Sequence, residues 1–307
     1  MNKIIICITT YNRPEQISAL LQDLINQDNH NFSLVLLNDG ANKKTCEIFN
    51  NINLPFPHYY FESKQPSGLP AARNKIIDYI EAQKIADEKT YLAFLDDDLI
   101  IDKNFVSNIS KYSEKYDGFC FRIIQKGAST TFDFTKCPKI QKLLSPLIGK
   151  MLPLLGMFFG GFYIPSKKIQ RVDHINGGCL IYNFSKNKSQ RFDMNLNEGN
   201  FVAEDTCFSY GLTRVGNKLY YISNYSYIHN PPSHGGCKIE EKDNSFFWYW
   251  KHKLYIIEKY HGKTVGKFAK IFSFLESILL SLFFRKNLTA YYFKALSSDF
   301  YDQKQCK

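Results

Sequence analysis

The stretch that most constrains the fold is Tyr91 to Leu99, YLAFLDDDL, where a largely apolar run passes directly into three aspartates. An uninterrupted apolar run predicts a strand buried on both faces, as in a parallel sheet covered by helices. In open α/β sheets, ligands collect just outside the carboxyl ends of the strands, where Asp96, Asp97 and Asp98 would emerge. Three adjacent carboxylates repel one another unless a cation neutralises them, and hard oxygen ligands suit Mg²⁺ or Mn²⁺. A solvated acidic turn would look the same from this stretch alone, so the rest of the chain has to decide.

Before the aspartates the chain alternates between strand and helix patterns. Ile4 to Thr9 reads as a buried strand. Pro14 suits a first helical turn, and Ile17, Leu20, Leu21, Leu24 and Ile25 follow at helical spacing. Strands are predicted at Phe32 to Leu37 and His58 to Phe61, with helices at Thr45 to Asn50 and around Ala71 to Asn74. This alternation calls for a parallel βαβ sheet. Residues 100 to 172 carry a weaker pattern. Within them Lys136 to Tyr163 is apolar but broken by prolines and by Gly160-Gly161, which suits a loop-rich insertion, an acceptor lid or a membrane-facing patch. After Val172 come a strand at Cys179 to Tyr182, a helix opened by Glu204-Asp205, and a strand from Lys218 to Ile222 that leads on to His229.

Charge is placed unevenly. The net charge is +10, yet residues 246 to 307 hold 11 Lys and Arg against 4 Asp and Glu, so most of the excess belongs to the tail. The eight cysteines form no CxxC pair and no metal-ligand spacing, as expected of reduced core residues in a cytosolic protein. The apolar start, MNKIIICITTYNRP, is too short for a signal peptide and lacks a cleavage site. No run reaches the roughly 18 apolar residues of a membrane span. The chain is therefore read as neither exported nor integral, and no nucleic-acid partner is expected.

Seven short motifs occur in order: Thr9-Thr10-Tyr11-Asn12-Arg13-Pro14, Asn38-Asp39-Gly40, Gly68 to Asn74, Asp96-Asp97-Asp98, Asn176-Gly177-Gly178, Glu204-Asp205 and His229. Together they resemble the family-2 glycosyltransferases of GT-A fold, especially the rhamnosyltransferase-like enzymes of bacterial surface polysaccharides. The resemblance runs from Ile4 to about Gly235. It implies a GT-A, Rossmann-like, mostly parallel α/β sheet over residues 1–240, with a nucleotide-sugar half (1–99) and an acceptor half (100–240). A helical, aromatic and basic extension follows at 241–307. The implied reaction is metal-dependent, inverting transfer of a sugar from a nucleoside diphosphate, UDP- or dTDP-linked, to a glycan acceptor. That acceptor would be lipid-linked, at the inner face of the plasma membrane, in capsule or O-antigen synthesis.

The resemblance also assigns roles. Thr9, Tyr11, Arg13, Asp39, Arg73, Asn74, Asp96, Asp97, Gly177 and Gly178 would surround the nucleotide sugar. Asp39 would accept the imide N–H of a pyrimidine, and Asn38, where the family has aspartate, retains an amide able to bond base or ribose. Asp96, Asp98 and His229 would hold Mn²⁺ or Mg²⁺, with His234 the competing histidine. Asp205, assisted by Glu204, would be the catalytic base. A nucleotidyltransferase would want a Gly-rich basic loop after the first strand, and a dinucleotide enzyme would want G-x-G-x-x-G; this chain has TTYNRP there. A degenerate scaffold of the same fold would be marked by loss of the aspartates or of the Glu-Asp pair, and both are present. The tail, with Trp248, Trp250 and interleaved lysines, reads either as an interfacial helix on an anionic membrane or as a packed subdomain or homodimer contact.

Overall fold

The computed structural model describes residues 2–126, 138–199, 201–232 and 244–298. His234, residues 136 and 137 of the apolar insertion, the join at 233–243 and residues 299–307 of the extension lie outside the described residues. In chain order the elements are β1 (Lys3–Thr10), α1 (Pro14–Ile25), β2 (Ser33–Asp39), α2 (Lys43–Asn51), β3 (His58–Ser63), α3 (Leu69–Ala82), β4 (Thr90–Leu95), β5 (Leu99–Ile100), α4 (Phe105–Ser113) and β6 (Gly118–Gln125). There follow α5 (Pro138–Leu144), β7 (Lys150–Leu152), β8 (Met157–Phe159), β9 (Gln170–Val172), β10 (Cys179–Asn183), α6 (Glu204–Arg214), β11 (Leu219–His229), α7 (Asn244–Phe284) and α8 (Leu288–Ser297).

Nine of the described strands form one sheet in the order β3-β2-β1-β4-β10-β6-β11-β5, with β9 on β11. The first half, β3-β2-β1-β4, is parallel. Strand β10 then enters antiparallel to both β4 and β6, and β11 runs parallel to β6. β2 and β4 are buried along their whole length. They show no polar alternation because helices cover both sheet faces; α3, for example, packs on β1 and β2.

Two elements differ from the sequence expectation. β6, a central strand, lies inside the region that gave no clear pattern. β11 does not stop at Ile222 but runs on to His229, with a register shift between Ile222 and Ser226 against β6. The polar Ser223-Asn224 reads as a strand end, whereas three residues, 223–225, are left without a partner on β6 and the pairing resumes at Ser226. That extra length delivers His229 to Asp98.

The extension contains two helical pieces within α7, broken at Gly262, whose φ of +80° lies outside the helical range. The first piece is packed rather than exposed. Trp250, His252 and Lys253 are fully buried, which removes them from any lipid-facing role expected of the tail as a whole. It is latched to the loop before α6: Lys251 Nζ bonds Glu198 (2.9 Å), and His252 Nδ1 meets the Val202 carbonyl (2.8 Å). Lys259 Nζ and Tyr255 Oη both donate to Asp193, each at 2.7 Å.

Burial opposes ionisation of Asp193, but the bonds from Lys259 and Tyr255 outweigh it and hold its carboxyl below the usual range. A folded pKa below the unfolded one gives stability that is complete above the unfolded value, about 3.9, and fades as pH falls through the folded value. Asp193→Asn should therefore cost roughly 1–3 kcal/mol at neutral pH. The gap from the parent should close in acid, which chemical denaturation at a series of pH values will measure.

Candidate active site

A cleft of about 670 Å³ opens at the carboxyl ends of β1, β2 and β4, with Thr9, Tyr11, Arg13, Asp39, Asp96 and His229 in its wall. Each loop around it is shaped by a local constraint. Gly40 has φ +94°, and a Cβ there would stand 2.9 Å from the Tyr11 ring, so only glycine lets that ring lie across the Asn38-Asp39-Gly40 turn. Gly68, at φ +83°, starts α3; a Cβ there would strike Asn197 Oδ1 at 2.4 Å. Asn12, Ala41, Phe201 and Ala203, all with positive φ and no glycine, sit in or beside the loops that frame the cleft. Such conformations cost on the order of 1–3 kcal/mol each and persist where surrounding contacts over-determine them.

The three aspartates take three different positions. Asp97 turns inward, accepting from Thr10 Oγ1 (2.7 Å) and Arg13 (2.8 Å). Burial pushes its carboxyl up to about 6, against the pull of Arg13. Asp98 accepts from the same Arg13 nitrogen at 2.8 Å, and its other oxygen lies 3.2 Å from His229 Nε2. Burial works against its charge too, but His229 and Arg13 prevail and hold it below the usual range. His229 is raised in turn, with Asp98 overcoming the burial that favours the neutral ring. Asp96 accepts from Arg73 at 3.0 Å and is raised mainly by burial.

One donor atom each from Asp96, Asp98 and His229 lies within 4.8 Å of the others. His229 Nδ1 is buried with no hydrogen-bond partner in the described structure. Two carboxylates and an imidazole form a donor set that fits a divalent cation such as Mn²⁺ or Mg²⁺.

Behind this cluster the Gly177-Gly178 turn joins the aspartates to α6. The Gly178 carbonyl accepts from the Asp96 amide (3.2 Å), and the Gly177 amide donates to Asp205 Oδ2 (2.6 Å). A Cβ on Gly177 would lie 2.7 Å from that of Asp205, so the close approach requires glycine. Asp205 Oδ1 also takes the Thr206 amide at 2.7 Å, and its side chain remains partly accessible. Glu204 is buried beside it. Burial lifts its carboxyl to about 8, with Arg73 opposing.

Three expected ligands of the nucleotide sugar are engaged elsewhere. Arg73 is 2% exposed and donates to Glu204 (2.8 Å), Asp96 and the Gly177 carbonyl (3.0 Å), so it braces the site rather than reaching for phosphate or base. Asn74 pairs with the backbone of Phe192 in both directions, at 2.9 and 2.8 Å. Asn38 is fully buried, and its amide donates to the Asn42 carbonyl, Tyr60 and Glu62; it is not turned toward base or ribose. Asp39 does line the cleft, with its oxygens bonded to the amide and hydroxyl of Ser67 (2.8 and 2.7 Å). The sequence motifs missed Asn197 and Phe201, which complete the wall from the loop that α7 supports. Only their position near the Glu-Asp pair could have suggested them.

A half-parallel sheet with a carboxylate cluster at its strand ends and a second acidic pair at a helix start defines an α/β enzyme of GT-A architecture. Residues 5–186, more than half of the chain, match the sequence profile of glycosyl transferase family 2, and the chain belongs to that family of glycosyltransferases. No curated protein sequence matches it. Among solved structures it is similar to S. aureus TarS residues 1–349 in complex with UDP-GlcNAc, with a TM-score of 0.59 at 15% identity over 88% of this chain and 71% of that one. It is also similar to the mannosyltransferase PcManGT from Pyrobaculum calidifontis, in complex with GDP-Man and Mn²⁺. There the TM-score is 0.57 at 10% identity, over 99% of this chain and 88% of that one.

Removing Arg73 would leave Asp96 and Glu204 uncompensated in the interior. Arg73→Met should destabilise the fold by roughly 3–5 kcal/mol. Adding Glu204→Gln should restore part of that loss, because one uncompensated carboxyl is gone. A double-mutant cycle in denaturant measures the coupling.

Proposed function

We propose that the protein transfers a sugar from a nucleoside diphosphate to a glycan hydroxyl with inversion at the anomeric carbon, aided by a divalent cation. The observation that carries this reading is the convergence of Asp96, Asp98 and His229 in the cleft, one glycine turn away from Asp205. Those three residues would hold Mn²⁺ or Mg²⁺, which when bound supplies a Lewis acid for the departing diphosphate. The ligands in the two similar structures, UDP-GlcNAc and GDP-Man with Mn²⁺, support a nucleotide-sugar donor. Asp39 favours a uridine or thymidine base: a carboxylate has room for more acceptances than the two it makes to Ser67, and one can be the imide N–H.

Asp205 is the base in this reading. Its side chain is partly accessible whereas Glu204 is buried against Arg73. The acceptor oxygen attacks the anomeric carbon, the bond from that carbon to the diphosphate oxygen breaks, and the hydroxyl proton passes to an Asp205 carboxylate oxygen. Glu204 acts on Asp96 through the shared Arg73 and touches no substrate. The acceptor is read as a lipid-linked glycan of a bacterial surface polysaccharide such as capsule or O-antigen, reached from the cytoplasmic face.

Chelation should abolish transfer, and added Mn²⁺ or Mg²⁺ should restore it; full turnover in excess chelator would remove the cation from the reaction. Asp205→Asn should lower kcat about 10²–10⁴-fold while donor binding, read by thermal shift with UDP, dTDP and GDP, stays near that of the parent. Equal loss of donor binding would make Asp205 a binding residue instead.

A further inference from the structure

The second piece of α7 leaves most of its larger apolar side chains outside. The side turned to the protein carries the fully buried Ala269, Ser273 and Ser277, with Phe274 and Leu280 partly buried in the core of the extension. The opposite side carries Phe268, Ile271, Leu275, Leu279 and Leu282, spaced three or four residues apart and therefore on one stripe, with Phe283 four residues after Leu279. Leu279, Leu282 and Phe283 are 67, 72 and 70% exposed, which is the reverse of a helix packed for its own domain.

A second element adds to the same region. The turn at Pro153–Leu155 between β7 and β8 packs on α7, and a Cβ on Gly156 would stand 2.7 Å from the Ala269 carbonyl. That turn carries Leu154, Leu155 and Met157, each exposed, so a second segment more than a hundred residues away in sequence adds outward apolar side chains next to α7.

Charge selects the occupant. Residues 263–298 contain six Lys and Arg against one acidic residue, Glu276. Glu276 faces inward, bonded to Tyr249, Trp250 and Lys253. Lys263 and Lys267 mark one end of the stripe, and Arg285 and Lys286 the other; all four are exposed. A second copy docked through this face would bring cations against cations. An anionic bilayer would meet both features, taking the apolar stripe at its acyl boundary and the cations at its headgroups. No helix among the described residues is long and apolar enough to cross a membrane.

We infer that the outer face of α7 beyond Gly262, together with the Leu154-Leu155 turn, docks the protein on an anionic lipid surface. The inference does not rest on the transfer chemistry, because vesicle binding needs no turnover.

The test is flotation of the full chain with vesicles of phosphatidylglycerol in phosphatidylcholine and with phosphatidylcholine alone. Binding should be at least about tenfold stronger to the anionic vesicles and should fall in high salt. Leu279→Glu with Leu282→Glu should abolish flotation while circular dichroism and thermal midpoint stay those of the parent. Leu154→Glu with Leu155→Glu, on the other element, should weaken flotation in the same direction and serves if the first variant does not fold. Arg285→Gln with Lys286→Gln should weaken anionic binding about tenfold or more. A parent that does not float, or leucine variants that float equally well, would overturn the inference. So would light scattering that finds a dimer dissociated by the leucine variants in a chain that ignores vesicles, since that assigns the face to a second copy.

Discussion

Asp96 and Glu204 come from opposite halves of the chain and converge on one buried arginine, without which neither carboxyl could keep a charge in the interior. The Arg73 guanidinium donates to both carboxyl groups and to the Gly177 carbonyl, opposing the burial that disfavours their ionised forms. The fork geometry of arginine matters, because a lysine ammonium could not reach several fixed oxygens in one plane. Phe192 and Phe94 lie against the guanidinium, with centroids 5.3 and 5.9 Å away, and help exclude water. The cleft therefore depends on a cation that never faces it. With Arg73 in place, Asp96 and the Glu-Asp helix are held at a fixed separation, which one glycine turn then sets.

A comparable division of labour runs through the extension. Before Gly262 the helix carries Trp248, Lys251, Tyr255 and Lys259 against residues 193–199, part of the segment that supplies Asn197 and Phe201 to the cleft wall. Buried Lys253 is tolerated because Glu276 of the same extension pairs with it; burial still depresses its pKa. After Gly262 the helix turns most of its bulky side chains away from the protein, with Phe274 and Leu280 the ones that pack inward. One helical extension thus buttresses the site with its first part and presents a surface with its second. The backbone conformation at Gly262, at positive φ, is what separates them.

Much of the fold was legible in the sequence. Apolar runs gave the parallel strands because burial on both faces leaves no polar alternation, and Pro14 marked a helix start by local sterics. The ordered motifs pointed to the family, and Asp96, Asp98 and His229, expected together from the sequence, do lie close to one another. These signals are local: each depends on a few neighbouring residues and on the strand-end rule. What tertiary structure alone decided was the destination of each polar group. Arg73, Asn74 and Asn38 belong to the motifs, yet their hydrogen bonds go to partners up to 131 residues away, which no spacing encodes. The register shift that carries β11 to His229 was hidden because Ser223-Asn224 has the composition of a strand end. The extension followed the same rule: its apolar and basic content was plain from the sequence, but which residues face inward depends on the break at Gly262 and on a turn near residue 155. Burial is a property of the assembled surfaces, and only the folded chain could divide that content between core and exterior.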